Sequence, residues 1–144
     1  MRAILLDTNA YSEFKKGHAE ATRVLDHAKE IAINVVVLGE LLGGFEAGTR
    51  ATTNRHELGE FLDTQSVRVL EIDPDTAELY AGIFRELRRK GTLIPQNDIW
   101  IAASALQHNL VLFTFDQHFH NIGGLVVGQT LADFADPDDG ESRP

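Results

Sequence analysis

The chain has 144 residues, of which 43% are hydrophobic, 24% are charged and none is cysteine. That is the make-up of an ordinary globular domain, and it excludes disulfide and thiolate chemistry. No apolar run reaches the roughly 20 residues of a membrane span and no signal-peptide pattern opens the chain, so a cytoplasmic location is expected. The formal net charge of −9 argues at first against a nucleic-acid partner. The charge is unevenly placed, however. Residues 133–144 hold five acids against one base, while residues 1–132 hold 17 acids and 12 bases. Once the four acids singled out below are set aside, the body of the chain is nearly neutral, so its global sign does not decide its partner.

Apolar strands and amphipathic helices alternate along the chain. Residues 2–6 form an apolar run that ends at Asp7, Thr8 and Asn9, three good helix-capping residues, and the helix that follows stops near Gly17. Residues 18–29 read as a second helix with Ala21, Val24, Leu25 and Ala28 on one face. Residues 30–36 read as a strand, followed by a helix that carries Glu40, Leu41 and Leu42. Residues 50–63 form a polar-faced helix with Leu58, Phe61 and Leu62 inward, and residues 67–72 alternate like a strand. Asp73 and Pro74 then start a helix that runs to Lys90, buries Ala77, Tyr80, Ile83, Phe84 and Leu87, and ends at Gly91. Pro95 introduces a further helix, apolar almost all round over residues 99–106. Strands at residues 110–113 and 125–127 complete the series.

Strands separated by helices of ten or more residues imply parallel pairing through right-handed crossovers. The expected fold is therefore a three-layer α/β/α sandwich with a central parallel sheet of four or five strands. It should occupy residues 1–134, with an acidic, disordered tail over residues 135–144.

In such sheets ligands bind beyond the carboxyl ends of the strands. Asp7 directly follows the first strand, and Asp116 lies three residues past Phe113. Asp98 sits in the first turn of the central helix, and Glu40 lies early in the helix after the second strand. Four acids from distant segments can thus converge at one edge. Clustered carboxylates repel one another and resist desolvation, a penalty that a hard dication such as Mg²⁺ or Mn²⁺ removes. Such an ion activates water and stabilises charge on a phosphoryl oxygen, which is the chemistry of phosphodiester hydrolysis. Each acid also has a structural alternative: Asp7 as a helix cap, Asp98 as complement to a helix dipole, and Asp116 as a turn residue. Glu40, inside an apolar stretch, needs a partner if buried.

The segments Leu5-Leu6-Asp7-Thr8-Asn9, Glu40-Leu41-Leu42-Gly43, Asn97-Asp98-Ile99-Trp100-Ile101-Ala102-Ala103 and Thr114-Phe115-Asp116-Gln117-His118-Phe119 resemble the PIN-domain family. Within that family they are similar to the VapC-type toxins of type II toxin–antitoxin systems, in order and spacing from residue 2 to about 132. The resemblance implies an Mg²⁺- or Mn²⁺-dependent endoribonuclease that leaves 5′-phosphate and 3′-hydroxyl ends. It implies Asp7 and Asp98 as primary metal ligands, with Glu40 holding a metal water or second ion and Asp116 completing the shell. Thr8 and Thr114 match hydroxyl positions beside the pocket, and Asn9 supports the Asp7 turn. Phe115 and His118 are assigned no chemistry. The resemblance further implies an RNA substrate, a cognate antitoxin whose C-terminal segment covers the pocket, and a homodimer.

Arg85, Arg88, Arg89 and Lys90 either complement a helix dipole or contact phosphate. Trp100 reads as core or dimer surface rather than a base-stacking platform. A zinc site at His108, His118 and His120 is disfavoured by the absence of cysteine. Alternative functions are a non-toxin PIN nuclease, a non-catalytic RNA- or protein-binding module, and a phosphatase with Asp7 as nucleophile. The phosphatase would want an Asp where Asn9 stands, and a nearby lysine.

Overall fold

In the computed structural model, which describes residues 1–136, five strands form one parallel sheet. They are β1 (Ile4–Leu6), β2 (Ile31–Asn34), β3 (Val67–Leu70), β4 (Val111–Phe113) and β5 (Val127–Gly128), in the order β3-β2-β1-β4-β5. Six helices flank the sheet: α1 (Thr8–Lys15), α2 (Ala19–His27), α3 (Val35–Ala47), α4 (Ala51–Leu62), α5 (Pro74–Lys90) and α6 (Gln96–Gln107). The result is the expected α/β/α sandwich. Of the tail expected over residues 135–144, residues 137–144 lie outside the described part. The Asp136 carboxylate accepts a hydrogen bond from the Met1 amino group at 2.8 Å.

A sheet covered on both faces needs continuous apolar strands. The central ones meet that demand: Ile4, Leu5, Leu6, Val111, Leu112 and Phe113 are fully buried. Gly128 in β5 permits a close approach, because a Cβ built there would stand 2.8 Å from the Phe134 ring. That ring is buried and packs edge-on against Phe113.

Several boundaries differ from the sequence expectation, each for a local reason. Residues 30–36 do not form one strand; β2 stops at Asn34 and α3 begins at Val35. Asn34 is buried, and its Oδ1 accepts from the Val37 backbone N–H at 2.9 Å, so the side chain caps α3 although the next four residues are apolar. Residues 67–72 do not alternate: Val67 and Leu70 are buried while Arg68 and Val69 are exposed, as befits a short edge strand covered only in part on each face. In α5 the buried line passes through Thr76, Ile83 and Leu87, and Ala77 is exposed. Thr76 is drawn inward by the capping box it forms with Asp73. Trp100 stacks on Tyr80 with ring centroids 4.2 Å apart, which seals α6 against α5.

The basic cluster at the end of α5 divides. Lys90 is held by Glu86 at 2.7 Å and by the Asn121 carbonyl at 3.1 Å. Arg85, Arg88 and Arg89 are exposed and form no ion pair among the described residues.

Asn34 also donates from Nδ2 to the Ser104 hydroxyl on α6 at 3.1 Å, and both side chains are buried. Asn34→Ala should therefore lose a helix cap and strand a buried hydroxyl, destabilising the protein by about 2–3 kcal/mol. Urea unfolding, followed by circular dichroism, should show a lower midpoint with an unchanged slope.

Candidate active site

The order β3-β2-β1-β4-β5 reverses the direction of winding between β1 and β4, and there the carboxyl ends of two adjacent strands open a crevice. In the β1–β4 register Leu6 lies beside Phe113, so the next residues, Asp7 and Thr114, are neighbours. The Asp7 N–H donates to the Phe113 carbonyl at 3.0 Å. The Thr114 hydroxyl donates to Asp7 Oδ2 at 2.7 Å, and the Thr8 N–H donates to Oδ1 at 2.8 Å. Asp7 is thus both the N-cap of α1 and a member of the cluster, and neither role displaces the other.

Thr114 is the hub of this corner. Its oxygen accepts from the Asp116 N–H at 3.0 Å and from Asn9 Nδ2 at 3.3 Å, while Asn9 Oδ1 accepts from the Phe115 N–H at 3.0 Å. Asn9 therefore ties the start of α1 to the end of β4, a longer reach than support for its own turn. Thr8, the first residue of α1, donates its hydroxyl to Glu40 Oε1 at 2.8 Å, which supplies the partner that a half-buried acid in an apolar helix requires. Glu40 stands on α3, whose start Asn34 sets. The same Asn34 is bonded to Ser104 on α6, the helix that carries Asp98 in its first turn. Asp7, Thr8, Asn9, Glu40, Asp98 and Asp116 line one pocket, together with residues 95–97 of the approach to α6.

His118 belongs to this cluster as well. It lies in a short 3-10 helix, Gln117–Asn121, with Nε2 at 2.7 Å from Asp98 Oδ2 and Nδ1 at 3.4 Å from Asp116 Oδ1. Sequence reasoning passed it over. The available signal was its place two residues beyond Asp116, immediately before Phe119, whose buried ring anchors the 3-10 turn. Gathered with His108 and His120 as a zinc set it carried no weight, and it is the carboxylates rather than those histidines that it meets.

Electrostatics follow from burial. Asp7 is 3% exposed, and desolvation raises its pKa to about 6, against the hydrogen bonds from Thr114 and Thr8 and with reinforcement from the charges of Asp98 and Glu40. Asp98 is raised as well, again by burial first; contact with His118 opposes the shift, and Glu40 and Asp116 add to it. Among the described residues no lysine or arginine pairs with any of the four acids. The phosphatase alternative wanted a lysine here, but Lys15, Lys16 and Lys90 are paired elsewhere and no lysine lines the pocket. A set of carboxylate oxygens with repelling charges and no lysine or arginine among them suits a divalent metal ion, which offsets both repulsion and desolvation.

The fold and this carboxylate crevice define a class, and comparison with known proteins places the chain in it. The family profile described as PIN domain matches residues 4–125. The chain belongs to the PIN-domain family. It is 31% identical to VapC ribonuclease Y4jK of Sinorhizobium fredii over 132 residues, covering 86% of this chain and 94% of the relative. Among solved structures it is similar to VapBC2 from Rickettsia felis bound to a DNA fragment from their promoter, with a TM-score of 0.78 and 26% identity over 88% of this chain and 97% of that one. It is likewise similar to DNA-bound VapBC from Salmonella typhimurium, with a TM-score of 0.77 and 27% identity over 89% and 98%.

Because burial raises the Asp7 carboxyl above its unfolded value of 3.8, its contribution to stability is intact below about pH 4 and is lost as pH rises through about 6. In the presence of chelator, Asp7→Asn keeps a good helix cap and removes that penalty. The variant should be more stable than the parent at pH 7.5 by roughly 2–3 kcal/mol, with the gain vanishing near pH 4. Thermal melts across this range read the difference directly.

Proposed function

We propose that this chain is the toxin of a toxin–antitoxin module, a cytoplasmic endoribonuclease that hydrolyses RNA phosphodiesters with a divalent metal ion, Mg²⁺ or Mn²⁺. The observation that carries the reading is the convergence of Asp7, Glu40, Asp98 and Asp116, from four distant segments, on one pocket without a compensating lysine or arginine. The names of the relatives, ribonucleases by description and VapBC complexes by structure, support the same activity and a cognate antitoxin.

Each residue has a task in this reading. Asp7 and Asp98 hold the ion, Glu40 and Asp116 complete its oxygen shell or hold its waters, and Thr8, Asn9 and Thr114 fix the carboxylates in place. A dication bound there lowers the pKa of water and stabilises charge developing on the phosphoryl oxygens. The Thr114 hydroxyl keeps Asp7 Oδ2 oriented, and Thr8 does the same for Glu40, so neither carboxylate has to reorganise when substrate enters. The acidic pocket by itself repels a polyanion, so binding needs cations elsewhere on the surface. Contact with the RNA backbone is assigned to Arg85, Arg88 and Arg89, a cluster of exposed cations with no ion pair among the described residues. The antitoxin, by its C-terminal segment, covers the acidic pocket. Two copies form a homodimer.

RNA incubated with the protein should be degraded with Mg²⁺ or Mn²⁺ and left intact with chelator. Asp98→Asn should lower the metal-dependent rate at least a hundredfold while its circular dichroism spectrum is unchanged; full activity in that variant would remove Asp98 from the mechanism. A non-catalytic module would bind RNA but show no cleavage under any metal condition. The logarithm of RNA affinity should also fall linearly with that of salt concentration. Replacing Arg85, Arg88 and Arg89 with glutamine should shallow the slope by about 2, near 0.7 for each phosphate contact on a single strand.

A further inference from the structure

The imidazole beside Asp98 and Asp116 changes what kind of ion the pocket prefers. One ligand atom from each of Asp98, Asp116 and His118 lies within 4.8 Å of the other two. Ligands about 2.1 Å from a common ion stand no more than about 4.3 Å apart, so the three side chains need only small rotations to share one. The three do not depend on chance alignment. Asp116 is pinned through its N–H to the Thr114 hydroxyl, Asp98 by the first turn of α6, and His118 by the turn that the buried Phe119 ring anchors. The His118 side chain is 32% exposed, and its two ring nitrogens face the two carboxylates, Nε2 at 2.7 Å from Asp98 and Nδ1 at 3.4 Å from Asp116.

We propose that His118, with Asp98 and Asp116, is a ligand of the resident metal and biases the pocket toward a transition-metal dication, Mn²⁺ over Mg²⁺. Mg²⁺ is hard and takes oxygen, whereas imidazole nitrogen suits first-row transition ions and binds them along the Irving–Williams order. An all-carboxylate cluster would discriminate little between the two ions; one nitrogen in the sphere adds affinity for Mn²⁺ and almost none for Mg²⁺. This assignment rests on the metal-dependent reading of the same pocket and adds the identity of the ion to it.

A structural role for His118 predicts the opposite outcome. If the imidazole served only as a counter-charge to Asp98 and Asp116, an incoming dication would have to displace it, and removing it would tighten metal binding. Calorimetric titration of the full chain with Mn²⁺ alone and Mg²⁺ alone therefore separates the two by sign. His118→Ala should weaken Mn²⁺ at least tenfold and leave Mg²⁺ within about threefold. His118→Gln, which retains bulk and hydrogen bonding but offers an oxygen, should behave like His118→Ala toward Mn²⁺. Pulsed electron paramagnetic resonance of the Mn²⁺-loaded protein should show nitrogen coupling in the parent and none in either variant, and thermal melts confirm that both are folded. Unchanged or tighter Mn²⁺ binding in His118→Ala, or no nitrogen coupling in the parent, overturns the ligand assignment while leaving the nuclease reading intact. Failure of the parent to bind Mn²⁺ or Mg²⁺ at all overturns the metal-dependent reading itself, and this assignment with it.

Discussion

Everything at the crevice depends on one electrostatic conflict. Asp7 is a carboxylate held almost out of water, at the seam of two parallel strands, with Asp98 and Glu40 close enough to raise its pKa further. A group in that position costs stability as an anion and has no cationic side chain to relieve it. The surrounding hydrogen bonds hold the carboxylate where it is and recover part of that cost. The Thr114 hydroxyl and the Thr8 N–H occupy one oxygen each. Such a corner is suited to an ion that arrives with two charges, and it explains why the fold tolerates the acids at all.

The scaffold serves this corner through a few buried polar contacts rather than through apolar packing alone. Asn34 is the clearest case. It ends β2, caps α3 and bonds to Ser104 on α6, so a single amide fixes the relative positions of the helices carrying Glu40 and Asp98. Asn9 and Thr114 do the same between α1 and β4. Precision comes from these links because apolar contacts alone are non-directional, and a carboxylate misplaced by an ångström would lose a shared ion. The stability of the domain and the geometry of the pocket thus draw on the same handful of side chains.

Family membership narrows the chemistry without naming the substrate. The match to the PIN profile and the likeness to VapC proteins bear on fold and reaction class together. Two further features bear on the proposed activity: three arginines at the end of α5 with no ion pair among the described residues, and an imidazole that reaches into the acid cluster. The arginines would offset the repulsion that the acidic pocket exerts on a polyanion.

Local patterns in the chain were enough for the alternation of strands and helices, the parallel sheet, and the four acids at strand ends and helix starts. Hydrophobic periodicity and capping chemistry are properties of neighbouring residues, and the ends of α5 could be read from Asp73, Pro74 and Gly91 alone. The strand order was decided only in three dimensions, because pairing between β1 and β4 joins residues more than a hundred positions apart. So was the boundary at Asn34, where an apolar run that reads as strand bends into helix because a buried amide finds Val37 and Ser104. Ala77 turned outward because the capping box drew Thr76 in, a rotation that periodicity alone cannot resolve. His118 was the largest omission: its meeting with Asp98 spans 20 residues of sequence, and no local rule says which way a turn residue will point. Patterning sets which residues are buried and which elements form; long-range hydrogen bonds and ring packing settle which polar groups meet, since those contacts exist only once the chain has closed on itself.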